Sequence, residues 1–112
     1  MAPESPPEVP VGFSLALNSQ ELAPGQVGEF LVDGVAVAIA NVGGEFFAVS
    51  NVCPHAGGPV GDGDLRDDVV TCPLHGWSFD VRDGSCAVDP SMALQSYDTV
   101  VLRGKVYVRV AT

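Results

Sequence analysis

Four residues in this chain could together hold a metal. Cys53 and His55 stand in the segment CPHAGG, and Cys72 and His75 in CPLHGWSFD. Each segment offers one thiolate and one imidazole, and each is rich in glycine and proline. A lone cysteine is commonly a small buried residue, but four such side chains at this spacing argue for ligation. Structural zinc is one candidate. Zinc sites, however, usually pair like with like, Cys-x-x-Cys and then a His pair. Here every segment mixes sulfur with nitrogen, which is unusual for structural zinc.

The elements that must position these residues read as all β. Val11–Leu17 alternates partly and is expected to be a first strand. Pro24-Gly25 marks a turn, Val27–Val32 a strand, and Asp33-Gly34 a hairpin. Val35–Val42, apolar almost throughout, is expected to be a buried strand. Gly43-Gly44 turns the chain into Glu45–Val52, which runs straight into Cys53. The stretch GDGDLRDD reads as an acidic, turn-rich link. Val69–Thr71 enters the second segment and Trp77–Val81 leaves it, with a further turn at Asp83-Gly84. Val100–Leu102 and Val106–Val110 form a last hairpin around Arg103-Gly104. Short strands with regular turn signals suggest a sandwich or small barrel. No helix of useful length is expected.

The pattern C-x-H, a gap, then C-x-x-H, with glycines around it and aromatics after His75, resembles the Rieske [2Fe-2S] proteins. The resemblance runs from the first strand to the C-terminus. It implies stacked antiparallel sheets, with two cluster-binding loops at one end. It also implies that Cys53 and Cys72 hold one iron and that His55 and His75 hold the other. Two ferric ions, two sulfides and two thiolates sum to about zero formal charge, against about −2 with four thiolates, so such a cluster accepts an electron readily. The family's high-potential members place a Ser and a Tyr two and four residues after the second His. Those positions here are Trp77 and Phe79, and neither carries a hydroxyl. Ser78 lies between them, on the opposite face of an extended segment. A low potential for a Rieske centre is therefore expected. The disulfide that joins the loops in quinol-oxidising relatives would fall at Gly58 and Leu74, where it cannot form. Pro90 matches, by position, a third loop over the cluster.

Composition narrows the function. The chain has 112 residues, 46% of them hydrophobic, and a net charge of −9 from fourteen acids against five bases. That excess of acid speaks against nucleic-acid binding and suits basic patches on redox partners. Residues 1–10, with four prolines and two glutamates, read as a disordered tail, leaving 11–112 as one domain. There is no secretory signature and no apolar run of the roughly 18 residues that cross a membrane. The expectation is a monomeric cytoplasmic protein. Cys86 is left without a partner and reads as a small residue in a strand. Asp62, Asp64, Asp67 and Asp68 lack the terminal acid of a calcium loop and read as a solvated turn.

Through the resemblance, the expected role is that of a soluble one-electron carrier. It would pass electrons from a flavin-containing NAD(P)H reductase to a terminal oxygenase and perform no catalysis itself. Two other roles stay open. One is the small Rieske subunit of an assimilatory NAD(P)H nitrite reductase, bound to its large subunit. The other is a zinc-stabilised interaction module.

Overall fold

The computed structural model describes residues 9–53, 57–74, 76–86 and 89–110. Nine strands are present among them: β1 (Ser14–Asn18), β2 (Val27–Val32), β3 (Val35–Val42), β4 (Glu45–Ser50), β5 (Asp64–Arg66), β6 (Val69–Thr71), β7 (Ser78–Asp80), β8 (Ser96–Leu102) and β9 (Lys105–Arg109). Three single 3-10 turns, at Ser19–Glu21, Val60–Asp62 and Pro90–Met92, are the helical segments among the described residues. None is long and apolar enough to cross a membrane.

The strands form two antiparallel sheets. The larger has the order β1-β9-β8-β4-β3-β2, and the smaller has the order β5-β6-β7. In the larger sheet the hairpins fall where the turn residues demanded. Asp33 and Gly34 have φ of 50° and 79°, and Arg103 and Gly104 have φ of 54° and 75°. Positive φ at both central residues is the two-residue turn whose twist matches the flanking strands. β2 and β3 then pair without a slip from Val27↔Ala40 to Val32↔Val35.

β3 shows why its sequence is apolar on both faces. Val37 and Ile39 sit in one hydrophobic core with Leu17, Phe46, Val106 and Val108. Ala38 and Ala40 face a second core with Val49, Val70, Phe79 and both Cys53 and Cys72. Alternate residues of a strand point to opposite faces, so burial on both sides leaves no polar face. The alanines fall on the side against which the small sheet packs. Asn41 is the exception in this run. It is buried, and its Nδ2 donates to the Leu22 carbonyl at 2.7 Å while its Oδ1 accepts the Gly44 N–H at 2.8 Å.

Two expectations are corrected. The stretch read as an acidic link contains a strand: β5 pairs Asp64–Arg66 against Val69–Thr71. Charged residues flank Leu65 on an exposed three-residue edge, so no apolar alternation could announce it. The first strand begins at Ser14 rather than Val11, since Val11 is 97% exposed and Gly12 has a φ of 93°.

Candidate metal centre

The two cysteine loops are built alike. β4 ends at Ser50, and the Cys53 N–H donates to the Gly58 carbonyl at 3.0 Å. β6 ends at Thr71, and the Cys72 N–H donates to the Trp77 carbonyl at 2.8 Å. In both loops a cysteine's own amide bonds the carbonyl five residues further on. The first loop is pinned further. The Gly57 N–H donates to the Cys53 carbonyl at 2.7 Å, and Val52 bridges Pro59.

Asn51, which the motif reading passed over, anchors that first loop. It is buried. Its backbone carbonyl accepts the Val60 N–H at 2.8 Å, and its side-chain Oδ1 accepts the Gly61 N–H at 2.7 Å. One residue on the near side of the loop thus holds two on the far side. The signal was available: an Asn within the apolar run FFAVSNVC must find partners if it is buried.

Cys53 and Cys72 come together in the core, 1% and 0% exposed and without a disulfide. Their thiols lie within hydrogen-bonding contact. Burial pushes the Cys72 thiol up; a hydrogen bond from the Leu74 backbone N–H pulls it down, and the neighbouring Cys53 pushes it up again, leaving it raised. Two buried, unpaired thiols brought to one point from different loops suit a shared iron. Binding would take up the thiolates and release their protons. Beside Cys72 lies an open hollow of about 280 Å³, lined in part by Asp62, Asp64, Thr71 and Gly76. His55 and His75 lie outside the described residues.

The surroundings match the low-hydroxyl pattern of the sequence. Phe79 is fully buried opposite Val70, and the Ser78 hydroxyl pairs with that of Thr71 at 3.1 Å. Trp77 packs against the same core. Cys86 occupies a single bridge to Phe79 rather than a strand, and its sulfur accepts the Asp89 N–H at 3.5 Å. Pro90 opens the 3-10 turn that Asp89 caps through the Ser91 N–H.

Residues 13–98 match the family model of the Rieske [2Fe-2S] domain. The chain belongs to the Rieske family. Its cofactor is accordingly a Rieske-type [2Fe-2S] cluster, and the paired thiols fit one. Among relatives, the ferredoxin component of biphenyl 2,3-dioxygenase from Rhodococcus jostii is 42% identical over 74 residues, covering 66% of this chain and 69% of that protein. Against a cholesterol 7-desaturase of Ciona intestinalis, 37% identical over 76% of this Rieske chain, the match spans only 18% of the larger protein. Among solved structures, the ferredoxin in the complex of reduced oxygenase and oxidised ferredoxin of carbazole 1,9a-dioxygenase superposes with a TM-score of 0.79. It is 29% identical, over 88% of this chain and 93% of that one. A Mycobacterium tuberculosis protein described as an NADH-dependent nitrite reductase small subunit gives a TM-score of 0.81. It is 31% identical, over 89% of this chain and 96% of that one. The relatives that this chain covers over most of their length are thus electron-transfer components, chiefly ferredoxins of dioxygenases.

Proposed function

We propose that this Rieske domain is a soluble, cytoplasmic, monomeric one-electron carrier. In this reading it passes electrons from a flavin-containing NAD(P)H reductase to a terminal oxygenase. Cys53 and Cys72 hold one iron, and His55 and His75 hold the other. The observation that carries the reading is the convergence of two buried free thiols from two loops of like construction. The cluster supplies reversible one-electron chemistry. The chain's own part is to exclude water from the sulfurs and to fix the loops. Its acidic surface would steer a partner with a basic face. With Trp77 and Phe79 in place of hydroxyl donors, the reduced state gains less hydrogen bonding. The midpoint belongs near the bottom of the roughly −150 to +300 mV Rieske range.

The nitrite reductase small subunit is the second reading, favoured by the likeness to the mycobacterial structure. Zinc is the weaker alternative, since family and ligand mixture both speak for iron.

The test begins with protein purified without chelators. Metal analysis should give two irons per chain, and EPR after dithionite a rhombic signal of low average g. Cys53→Ser or Cys72→Ser should abolish that signal. One zinc and no signal would overturn the assignment. A midpoint well above zero would overturn the hydrogen-bond argument. Reduction by a flavin reductase followed by rapid oxidation by an oxygenase supports the carrier; stable capture by a sirohaem protein supports the subunit.

A further inference from the structure

We infer that Leu74 is a positioning residue for Cys72: it lies in the notch left by Gly58, latches the second loop to the first, and shields the Cys72 sulfur from water. The inference rests on Cys72 being a cluster ligand, as proposed above. A Cβ placed on Gly58 would lie 2.9 Å from the Cys72 Sγ and 3.0 Å from both Cγ and Cδ1 of Leu74. Sulfur and leucine therefore share one space, and only the absence of a side chain at position 58 leaves it open. The backbone there is not in the left-handed region, so the demand for glycine is one of room.

Leu74 is held at both ends of this contact. Its backbone N–H bonds the Cys72 sulfur, and its side chain reaches across to Gly58 in the other loop. Its outer face is exposed at 45%, whereas Cys72 beneath is at 0%. An apolar side chain so exposed at a loop tip gains little from its own burial. What it contributes is cover for the sulfur and a non-covalent tie between two loops. Reduction adds negative charge to the cluster, and water reaching a ligand sulfur would stabilise that charge. Removing the cover should therefore raise the midpoint and speed loss of iron.

The experiment uses holoprotein variants, with cluster release under chelator followed by visible absorbance and the midpoint by redox titration. Leu74→Ala should release its cluster roughly tenfold faster and titrate at a higher midpoint. Leu74→Met, which keeps the bulk, should stay near the parent on both. Gly58→Ala should also hasten release. Combined with Leu74→Ala, it should cost less than the product of the two separate effects, because they compete for one space. If Leu74→Ala fails to load a cluster, Leu74→Val should give an intermediate release rate and midpoint. Unchanged release and midpoint in Leu74→Ala, or fully independent effects in the double variant, would overturn the latch. A Cys72→Ser protein that retains the native midpoint would remove the ligand assignment beneath it, an outcome separate from the first two.

Discussion

The two sheets are held together by different means. In the large sheet, strands of five to eight residues pair over four to six residues at every join except β4–β8, which pairs two, so the paired backbone itself carries order within each three-stranded half. In the small sheet every strand has three residues. Ladders that short are marginal on their own. Order there comes from close backbone approaches, from one buried amide, and from a single arginine. Cys72 thus follows a strand where regular structure contributes least, Cys53 follows the longer β4, and the join between their loops depends on individual side chains.

Glycine substitution tests this contrast most severely. Gly63 follows the Val60–Asp62 turn, and a Cβ there would lie 1.9 Å from the carbonyl oxygen of Thr71, the residue before Cys72. Backbone must move to admit it. Gly63→Ala should cost about 3 kcal/mol and disturb the cluster signal. Gly34, in a hairpin of the large sheet, has open space around its Cβ position, and only its φ of 79° resists substitution. Gly34→Ala should cost about 1 kcal/mol and leave the cluster spectrum untouched. Thermal melts and EPR on the pair check both statements. Equal losses of stability, with both spectra intact, would erase the distinction between the sheets.

Asn51 sets the next scale of effect. Asn51→Ala strips the acceptor from the buried Gly61 N–H, a loss of about 1–3 kcal/mol. Because the bracket is local, the loss should fall on the loop rather than on the whole fold. Hydrogen exchange should quicken at Val60, Gly61 and Cys53 by roughly tenfold to a hundredfold, with the β3 amides unchanged. Uniform acceleration across both sheets would mean that Asn51 supports the domain at large.

The same contrast governs what the sequence could disclose. β2, β3, their hairpin and the turn at Arg103-Gly104 were legible because period, length and turn chemistry agree there. β8 was found with its start four residues late and β9 with each end off by one, since only Tyr97 in Ser96–Thr99 is hydrophobic and no apolar run marks the start of β8. β5 was hidden because Asp64 and Arg66 flank its single apolar residue. At the centre, Cys53 and Cys72 could be named from spacing and family resemblance, and the fold brings them together. Asn51 was passed over although an Asn inside an apolar run signals a buried, partnered amide. The Gly58–Leu74 contact could not be named, because close approach between two loops is a property of packing and leaves no pattern along one chain.

The smallest effect concerns the arginine. Arg82 bonds both carboxylate oxygens of Asp80, through Nε at 3.1 Å and Nη2 at 2.8 Å, and Nη2 also pairs with Asp68 at 3.1 Å. It ties the end of β7 to the turn between β5 and β6. The large sheet has a counterpart in Arg109, paired with Asp98 and stacked 5.2 Å from the Phe13 ring centre. There the β8–β9 ladder already joins the strands. The side-chain bond from Arg82 holds the Asp80 carboxyl below its ordinary range. A depressed folded-state value means that the bond stabilises the fold above the ordinary carboxylate pKa of about 3.9. That stabilisation is lost as pH falls through the lower, folded value. Arg82→Gln should therefore melt below the parent at pH 7, with the gap closing below about pH 4. Acid loss of the cluster affects both chains, so the gap between them is the quantity to follow. The gap should be small, since Arg82 is 58% exposed and salt screens it. Arg109→Gln should open a smaller gap still. A larger one would mean that ion pairs support the long ladders as much as the short.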